Sequence, residues 1–186
     1  MSRLRTFVAI EPSQSVLDAG AQLIREFSQS VDSVRWVRPE NIHLTLKFLG
    51  EVEDRELHAV CKITAQSAEQ FSAFSLQAQA VGAFPSLEKP STVWIGVEQD
   101  QRLLDLQKHL ESGLAELGFP VERRPFRGHL TLGRARSRKS PELRELIEAH
   151  QSQEFGLLEV KELVVFASEL GRQGPTYTVL GRCPLA

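Results

Sequence analysis

Three features of this 186-residue chain predict an α+β fold of two similar halves packed as one unit. His-Leu-Thr-Leu occurs at residues 43–46 and again at 129–132, 86 residues on, close to half the chain. Each half alternates short period-2 stretches with longer stretches of helical period. No low-complexity segment or linker separates the halves. Strands and helices joined by short connections fit the α+β class. The repeat is far longer than a solenoid unit. The expectation is a single domain over residues 1–186. It comprises two intimately packed lobes, each a mainly antiparallel sheet with helices, around a central cleft.

Residues 3–10 predict a first strand, buried through Phe7, Val8 and Ile10. Ser13 is the candidate N-cap of a helix whose face is Val16, Ala19, Gly20, Leu23, Ile24 and Phe27. Residues 34–38 predict a short strand and 39–41 a turn. The first motif strand follows over 42–50. Alternation puts Ile42, Leu44, Leu46 and Phe48 on one face, for the core, and His43, Thr45 and Lys47 on the other. Asp54 is the candidate cap of a second helix with Leu57, Val60, Cys61, Ala65 and Ala68 inward. Residues 74–81 predict a strand, 82–91 a loop with Pro85 and Pro90, and 92–97 another strand. Asp100 can cap a third helix through Leu103, Leu106, Leu110, Leu114 and Leu117, with Gly118 at its left-handed end. The second motif strand follows. Ser140-Pro141 starts a fourth helix with Pro at its first position. Residues 160–166 and 176–180 predict the last strands.

Composition narrows the function classes. A hydrophobic share of 41% and a charged share of 25% are those of a globular protein. With a net charge of −2, nucleic-acid binding would need a local basic patch. Cys61 and Cys183 form no CxxC pair and are expected to be reduced thiols. The N-terminal apolar run 7–10 is stopped by Glu11, too short for a signal peptide. No stretch is long enough to span a membrane. The expected location is cytoplasmic.

The chemistry concentrates in the repeated motif. Packing requires only that Leu44, Leu46, Leu130 and Leu132 be apolar, so it does not explain histidine and threonine on the opposite face. Two imidazoles facing one cleft can serve as general base and general acid near neutral pH, each worth ~10²–10⁴-fold. The hydroxyls of Thr45 and Thr131 can donate to an anionic oxygen, roughly 1.5–3 kcal/mol per bond to a charged group. That set suits phosphate ester chemistry. No HExxH motif and no carboxylate or cysteine cluster accompanies either histidine, so zinc lacks a third ligand, and neither metal nor cofactor is expected. Arg123, Arg124, Arg127, Arg134, Arg136, Arg138 and Lys139 surround the second motif with no acid among them, a funnel for an anion. Strict alternation turns Arg134 away from His129 unless the strand bends or bulges near Gly133. His58, His109 and His150 sit singly on predicted helices and are read as surface residues. Trp36 and Trp94 are read as core, against base-stacking platforms.

With its flanks, the motif resembles a known family. The segments are 5–10 (Arg-Thr-Phe-Val-Ala-Ile), 35–50 (Arg-Trp-Val-Arg-Pro-Glu-Asn-Ile-His-Leu-Thr-Leu-Lys-Phe-Leu-Gly), 82–86, 118–120, 127–132 and 177–180. They resemble the two-histidine (2H) phosphoesterases, specifically the bacterial and archaeal RNA 2′,3′-cyclic phosphodiesterases, also called 2′-5′ RNA ligases. The resemblance implies a LigT-like fold with pseudo-twofold lobes. It implies metal-independent opening of an RNA terminal 2′,3′-cyclic phosphate to a 2′-phosphate, with reversible 2′-5′ ligation in some relatives. His43 and His129 become the acid–base pair, with His129 as base and His43 as acid. Thr45, Thr131 and Arg134 become phosphate ligands. The implied partners are RNA with a cyclic phosphate end, including tRNA fragments, or small cyclic nucleotides; the expected form is a monomer. Alternatives are a 2H enzyme for another small cyclic nucleotide or a 2′-5′ oligonucleotide, and a non-catalytic binder of RNA ends. Gly128 and Gly133 depart from the family's usual proline and alanine and are expected to loosen the backbone locally.

Overall fold

The computed structural model describes residues 3–137, 140–171 and 174–186. In chain order these form β1 (Arg3–Ile10), α1 (Gln14–Ser28), β2 (Val34–Trp36), β3 (Leu44–Glu53), α2 (Asp54–Ala68), β4 (Phe74–Phe84), β5 (Thr92–Val97), α3 (Gln101–Glu116), β6 (His129–Ala135), α4 (Pro141–Ala149), β7 (Glu154–Val160), β8 (Glu162–Gly171) and β9 (Gly174–Pro184). Pro39–Asn41 makes one 3-10 turn before the first motif.

The strands join antiparallel into one curled sheet, ordered β7-β4-β5-β6-β3-β1-β8-β9, with β2 beside β6. The two motif strands are its central neighbours, and they meet only at Leu44 and Leu130. These are the same residue of each motif, so the pseudo-twofold relating the lobes passes between them. Each lobe supplies two helices. Both leucines are fully buried, and such burial is worth about 2 kcal/mol per side chain. The helices and the sheet enclose one large apolar cluster; a smaller one, Phe7, Ala9, Val164 and Phe166, lies apart with Tyr177 against it.

The helix starts follow the expected chemistry in two of four cases. Asp100 accepts from the Arg102 amide at 2.7 Å, and Ser140 from the Leu143 amide at 3.4 Å. Ser13 precedes α1, but its hydroxyl donates to the Leu157 carbonyl at 2.7 Å. Asp54 is the first residue of α2; Glu53 is its cap, in a reciprocal box with Glu56. Gly118 takes φ +91° after α3.

Strand β4 runs on to Phe84, shortening the expected 82–91 loop, and β7 is an additional strand. Gly156 at φ +107° and a bulge opposite Ala78 and Gln79 break its alternation, which hides it from a period-2 search. Cys61 and Cys183 are free thiols. Among the described residues no helix is long and apolar enough to cross a membrane.

Candidate active site

Both motif strands carry a bulge at the same place. Between Val8 and Ala9, β1 advances one residue while β3 advances two, from Lys47 to Thr45, leaving Leu46 extra. Between Val93 and Trp94, β5 advances one while β6 passes from Gly133 to Thr131, leaving Leu132 extra. Leu46 and Leu132 are the fourth residues of the two motifs. A bulge exchanges the two faces of the strand beyond it. Alternation therefore holds from histidine to threonine and then reverses. Arg134 comes onto the cleft face with His129 and Thr131, as the bulged-strand possibility required. Phe48 occupies the equivalent place in β3. It is 55% exposed and lines the cleft, contrary to the expectation of a core residue.

The cleft measures about 2200 Å³ and is lined by His43, Thr45, His129, Thr131 and Arg134 together. The antiparallel register about Leu44 and Leu130 sets His43 toward Thr131 and Thr45 toward His129. Each imidazole is fixed in the same way. His43 Nδ1 donates to the Asn41 carbonyl and His129 Nδ1 to the Arg127 carbonyl, both at 2.8 Å and both two residues back. This selects the tautomer that leaves Nε2, on the far side of the ring, as an acceptor.

Aromatic rings enclose both histidines. Phe7 stacks on His43 at 4.8 Å between centroids and Tyr177 meets it edge-on at 5.2 Å. Phe84 meets His129 edge-on at 4.9 Å, with Trp94 at 6.5 Å. Burial lowers the His43 pKa to about 4; the bond to Asn41 opposes this and the nearby His129 adds to it. Burial also lowers that of His129, against the bond to Arg127 and reinforced by the Arg134 guanidinium. Both rings are therefore neutral near pH 7 in the free cleft.

Arg134 donates to the Thr92 hydroxyl at 2.5 Å. Thr92, Phe7, Tyr177 and Phe84 thus shape the site without having been singled out for it. Phe7 in particular reads as plain core because both faces of β1 are apolar. Lys47 does not offer a free ammonium; it is buried and ion-paired with Glu111. Gly133 lies tight against β2 and is not loose: a Cβ there would come within 2.5 Å of Val34 Cγ1 and 2.8 Å of Trp36 Cε3. Trp36 itself lines the cleft, and Trp94 packs over Gly82.

His58 and His109 are exposed. His150 is instead half-buried, bonding the Leu146 carbonyl at 2.7 Å and facing Glu26 at 3.3 Å. Among the described residues no three His, Cys, Asp or Glu side chains converge as metal ligands.

The cleft is strongly basic although the chain carries a net charge of −2. Seven arginines line it: Arg5, Arg35, Arg38, Arg123, Arg124, Arg127 and Arg134. Among the described residues its only carboxylates are Glu111 and Glu122, each ion-paired to a cation. Of the expected basic stretch, Arg136 is exposed outside the cleft lining, and Arg138 and Lys139 lie outside the described residues.

The family described as LigT like Phosphoesterase matches residues 10–94 and again 95–177. The RNA 2′,3′-cyclic phosphodiesterase of Archaeoglobus fulgidus is 36% identical over 175 residues, covering 94% of this chain and 96% of that protein. Its namesake from Methanothermobacter thermautotrophicus is 32% identical, with 95% and 96% covered. Among solved structures, TT0787 of Thermus thermophilus superposes with a TM-score of 0.80 at 26% identity, covering 98% of each chain. E. coli LigT complexed with 3′-AMP does so at 0.76 and 27%, covering 100% of this chain and 99% of that one.

Proposed function

The chain belongs to the LigT-like phosphoesterase family, and we propose that it hydrolyses RNA terminal 2′,3′-cyclic phosphates to 2′-phosphates by two-histidine acid–base catalysis. One observation carries this reading. Two imidazoles, one from each lobe, line one basic cleft with Nδ1 held by the same backbone contact and Nε2 free to exchange a proton. The relatives named RNA 2′,3′-cyclic phosphodiesterase supply the substrate class.

The cyclic diester brings one negative charge. Thr45, Thr131 and Arg134 take its non-bridging oxygens. His129 removes a proton from water through Nε2 as the water oxygen bonds phosphorus. The bond from phosphorus to the 3′-oxygen breaks, and His43 gives that oxygen its proton, leaving a 2′-phosphate and a 3′-hydroxyl. The assignment of His129 as base follows the family resemblance; burial, reinforced by Arg134, keeps its imidazole unprotonated and able to accept. His43 acquires its proton as the anion arrives, since a nearby negative charge raises a histidine pKa. With the 5′-hydroxyl of a second strand in place of water, the same roles form a 2′-5′ linkage; attack of the 3′-hydroxyl on that linkage re-forms the cyclic phosphate and releases the 5′-hydroxyl, with the roles exchanged. The exposed Phe48 ring offers a base a stacking surface beside the phosphate.

No metal takes part in the proposed steps: the two imidazoles supply the acid and the base, and Arg134 the positive charge. We also propose the cytoplasm, where two free thiols are stable, and a monomer acting on RNA ends such as tRNA fragments.

The test is hydrolysis of a nucleoside 2′,3′-cyclic phosphate in EDTA by the wild type, His43→Ala and His129→Ala, with product regiochemistry. Each variant loses about 10²–10⁴-fold in kcat. Full activity in either variant, a strict metal requirement or exclusive 3′-phosphate would overturn the mechanism. A panel including 3′,5′-cyclic nucleotides and 2′-5′ oligonucleotides, compared by kcat/KM, ranks the substrates.

A further inference from the structure

The segment between α3 and β6 carries Arg123, Arg124 and Arg127 into the cleft without regular secondary structure of its own. It is held at both ends. At the far end, the Arg127 carbonyl accepts from His129 Nδ1 and the Gly128 carbonyl from the Val97 amide at 3.0 Å. At the near end a buried network takes hold. Lys47 Nζ, just past the β3 bulge, donates to Glu111 Oε1 and to the Pro120 carbonyl, the latter at 2.5 Å. Glu111 Oε1 also accepts from the Glu122 amide and Oε2 from Gln107 Nε2, both at 2.8 Å. Lys47 and Glu111 are 6% and 7% exposed.

A buried ion pair adds little stability over apolar residues of the same volume. An apolar pair, however, cannot bond the backbone at residues 120 and 122. The network therefore fixes the basic segment against the motif strand, at the residue that follows the bulge. What the segment presents exceeds the need of one cyclic phosphate, which Thr45, Thr131 and Arg134 already meet. From Arg123 to Arg127 the chain spans at most about 14 Å, and the cleft is larger than the roughly 300–1,000 Å³ typical of a small-molecule site. Among the described residues Arg123 and Arg127 make no ion pair, and that of Arg124 to Glu122 is exposed at 3.4 Å.

We propose that Lys47 and Glu111 are positioning residues that hold the segment 120–127 as a second subsite, whose arginines bind the phosphates of the RNA strand 5′ to the reacting end. The proposal rests on the activity given above and makes the preferred substrate an oligonucleotide over a mononucleotide.

The experiment compares adenosine 2′,3′-cyclic phosphate with a six-nucleotide RNA ending in a 2′,3′-cyclic phosphate, across a salt series. In the wild type, kcat/KM for the oligonucleotide exceeds that for the mononucleotide. Its logarithm falls against that of salt with a slope steeper by about 2, from three single-strand phosphate contacts at roughly 0.7 each. Arg123→Ala/Arg124→Ala loses about tenfold on the oligonucleotide, mainly in KM, and less than about twofold on the mononucleotide. Lys47→Met shows the same KM-weighted loss, and Lys47→Arg recovers part of it. Equal kcat/KM and equal salt slopes for the two wild-type substrates would overturn the subsite. So would a Lys47→Met loss that falls equally on both substrates in kcat. Should Lys47→Met fail to fold, as circular dichroism would show, the arginine pair decides alone. Should the wild type turn over neither substrate, the proposed activity fails. Fluorescence anisotropy with the same RNA labelled, against wild type and Arg123→Ala/Arg124→Ala, then still decides the subsite: a tenfold difference supports it, and equal binding overturns it.

Discussion

Acidification should destabilise this fold through His43 in particular. Its pKa in the folded chain is about 4 against an ordinary 6.5. The folded state therefore favours the neutral ring, and the unfolded chain takes up the proton first. A depressed histidine contributes stability that is present above pH 6.5 and is lost as pH falls toward the folded value. The full difference is about 3 kcal/mol, of which about 2 kcal/mol falls between about pH 7 and pH 4.5. His129 acts in the same direction. Carboxylates held low, such as Asp100 at about 2, also lose their share on acidification. A single substitution separates His43 from these groups. In His43→Asn the side-chain amide can still donate to the Asn41 carbonyl but does not titrate. Urea unfolding of both proteins at about pH 7 and pH 4.5 gives the two losses of stability. The wild type should lose about 2 kcal/mol more than the variant. Losses equal to within about 0.5 kcal/mol would show that the enclosed imidazole is not held neutral by the fold, and the argument from burial would fail.

The same depression governs activity. Because both histidines are lowered, the alkaline limb of kcat/KM should lie below about pH 6.5. The limb of kcat should lie at least about one pH unit higher, because bound phosphate raises the pKa of the proton donor; coincident limbs would count against this. Thr92→Val removes the acceptor that holds Arg134 and should reduce kcat/KM about tenfold at nearly wild-type stability, read from steady-state kinetics and thermal melts. Gly133→Ala should cost about 1–3 kcal/mol in urea unfolding, since the new methyl meets Val34 and Trp36. Phe48→Ser should cost less than about 1 kcal/mol, where a core phenylalanine would cost about 3 or more.

The readable part of the site is the part where local rules and the tertiary structure agree. From His43 to Thr45 and from His129 to Thr131 alternation is intact, so the division into a packed and a reactive face is legible in the sequence. It fails at the next residue, because an extra leucine in each strand is set by the register of a neighbour, β1 or β5. Nothing local in Leu-Lys-Phe distinguishes a bulged strand from a regular one, so Phe48 reads as core. Lys47 likewise sits where alternation turns it to the cleft. Its pairing with Glu111, 64 residues away, has no local signature. Strand β7 is hidden by a further bulge and by Gly156. These losses share one cause: each depends on a strand partner or a side chain distant in sequence.

The bulges also make the two halves of the duplicated site unlike. Two identical tetrapeptides across a pseudo-twofold would present identical acids and bases. Each bulge brings one more residue, the fifth after its histidine, onto the cleft face. In one lobe that residue is Arg134, in the other Phe48. A fixed cation beside His129 lowers its affinity for a proton. An aromatic ring near His43 adds no charge and leaves burial to dominate, a penalty that an arriving anion can offset. The lobes are thus alike in the groups proposed to move protons and unlike in the residue that each bulge sets on the cleft face. Exchanging the neighbours tests the point. In Phe48→Arg/Arg134→Phe the cation lies on the His43 side, so the more strongly depressed histidine should remain His43 and the shift of His129 should shrink. Histidine ring NMR titrations of the wild type and the double variant read both values. An unchanged His129 titration would show that Arg134 does not act on His129.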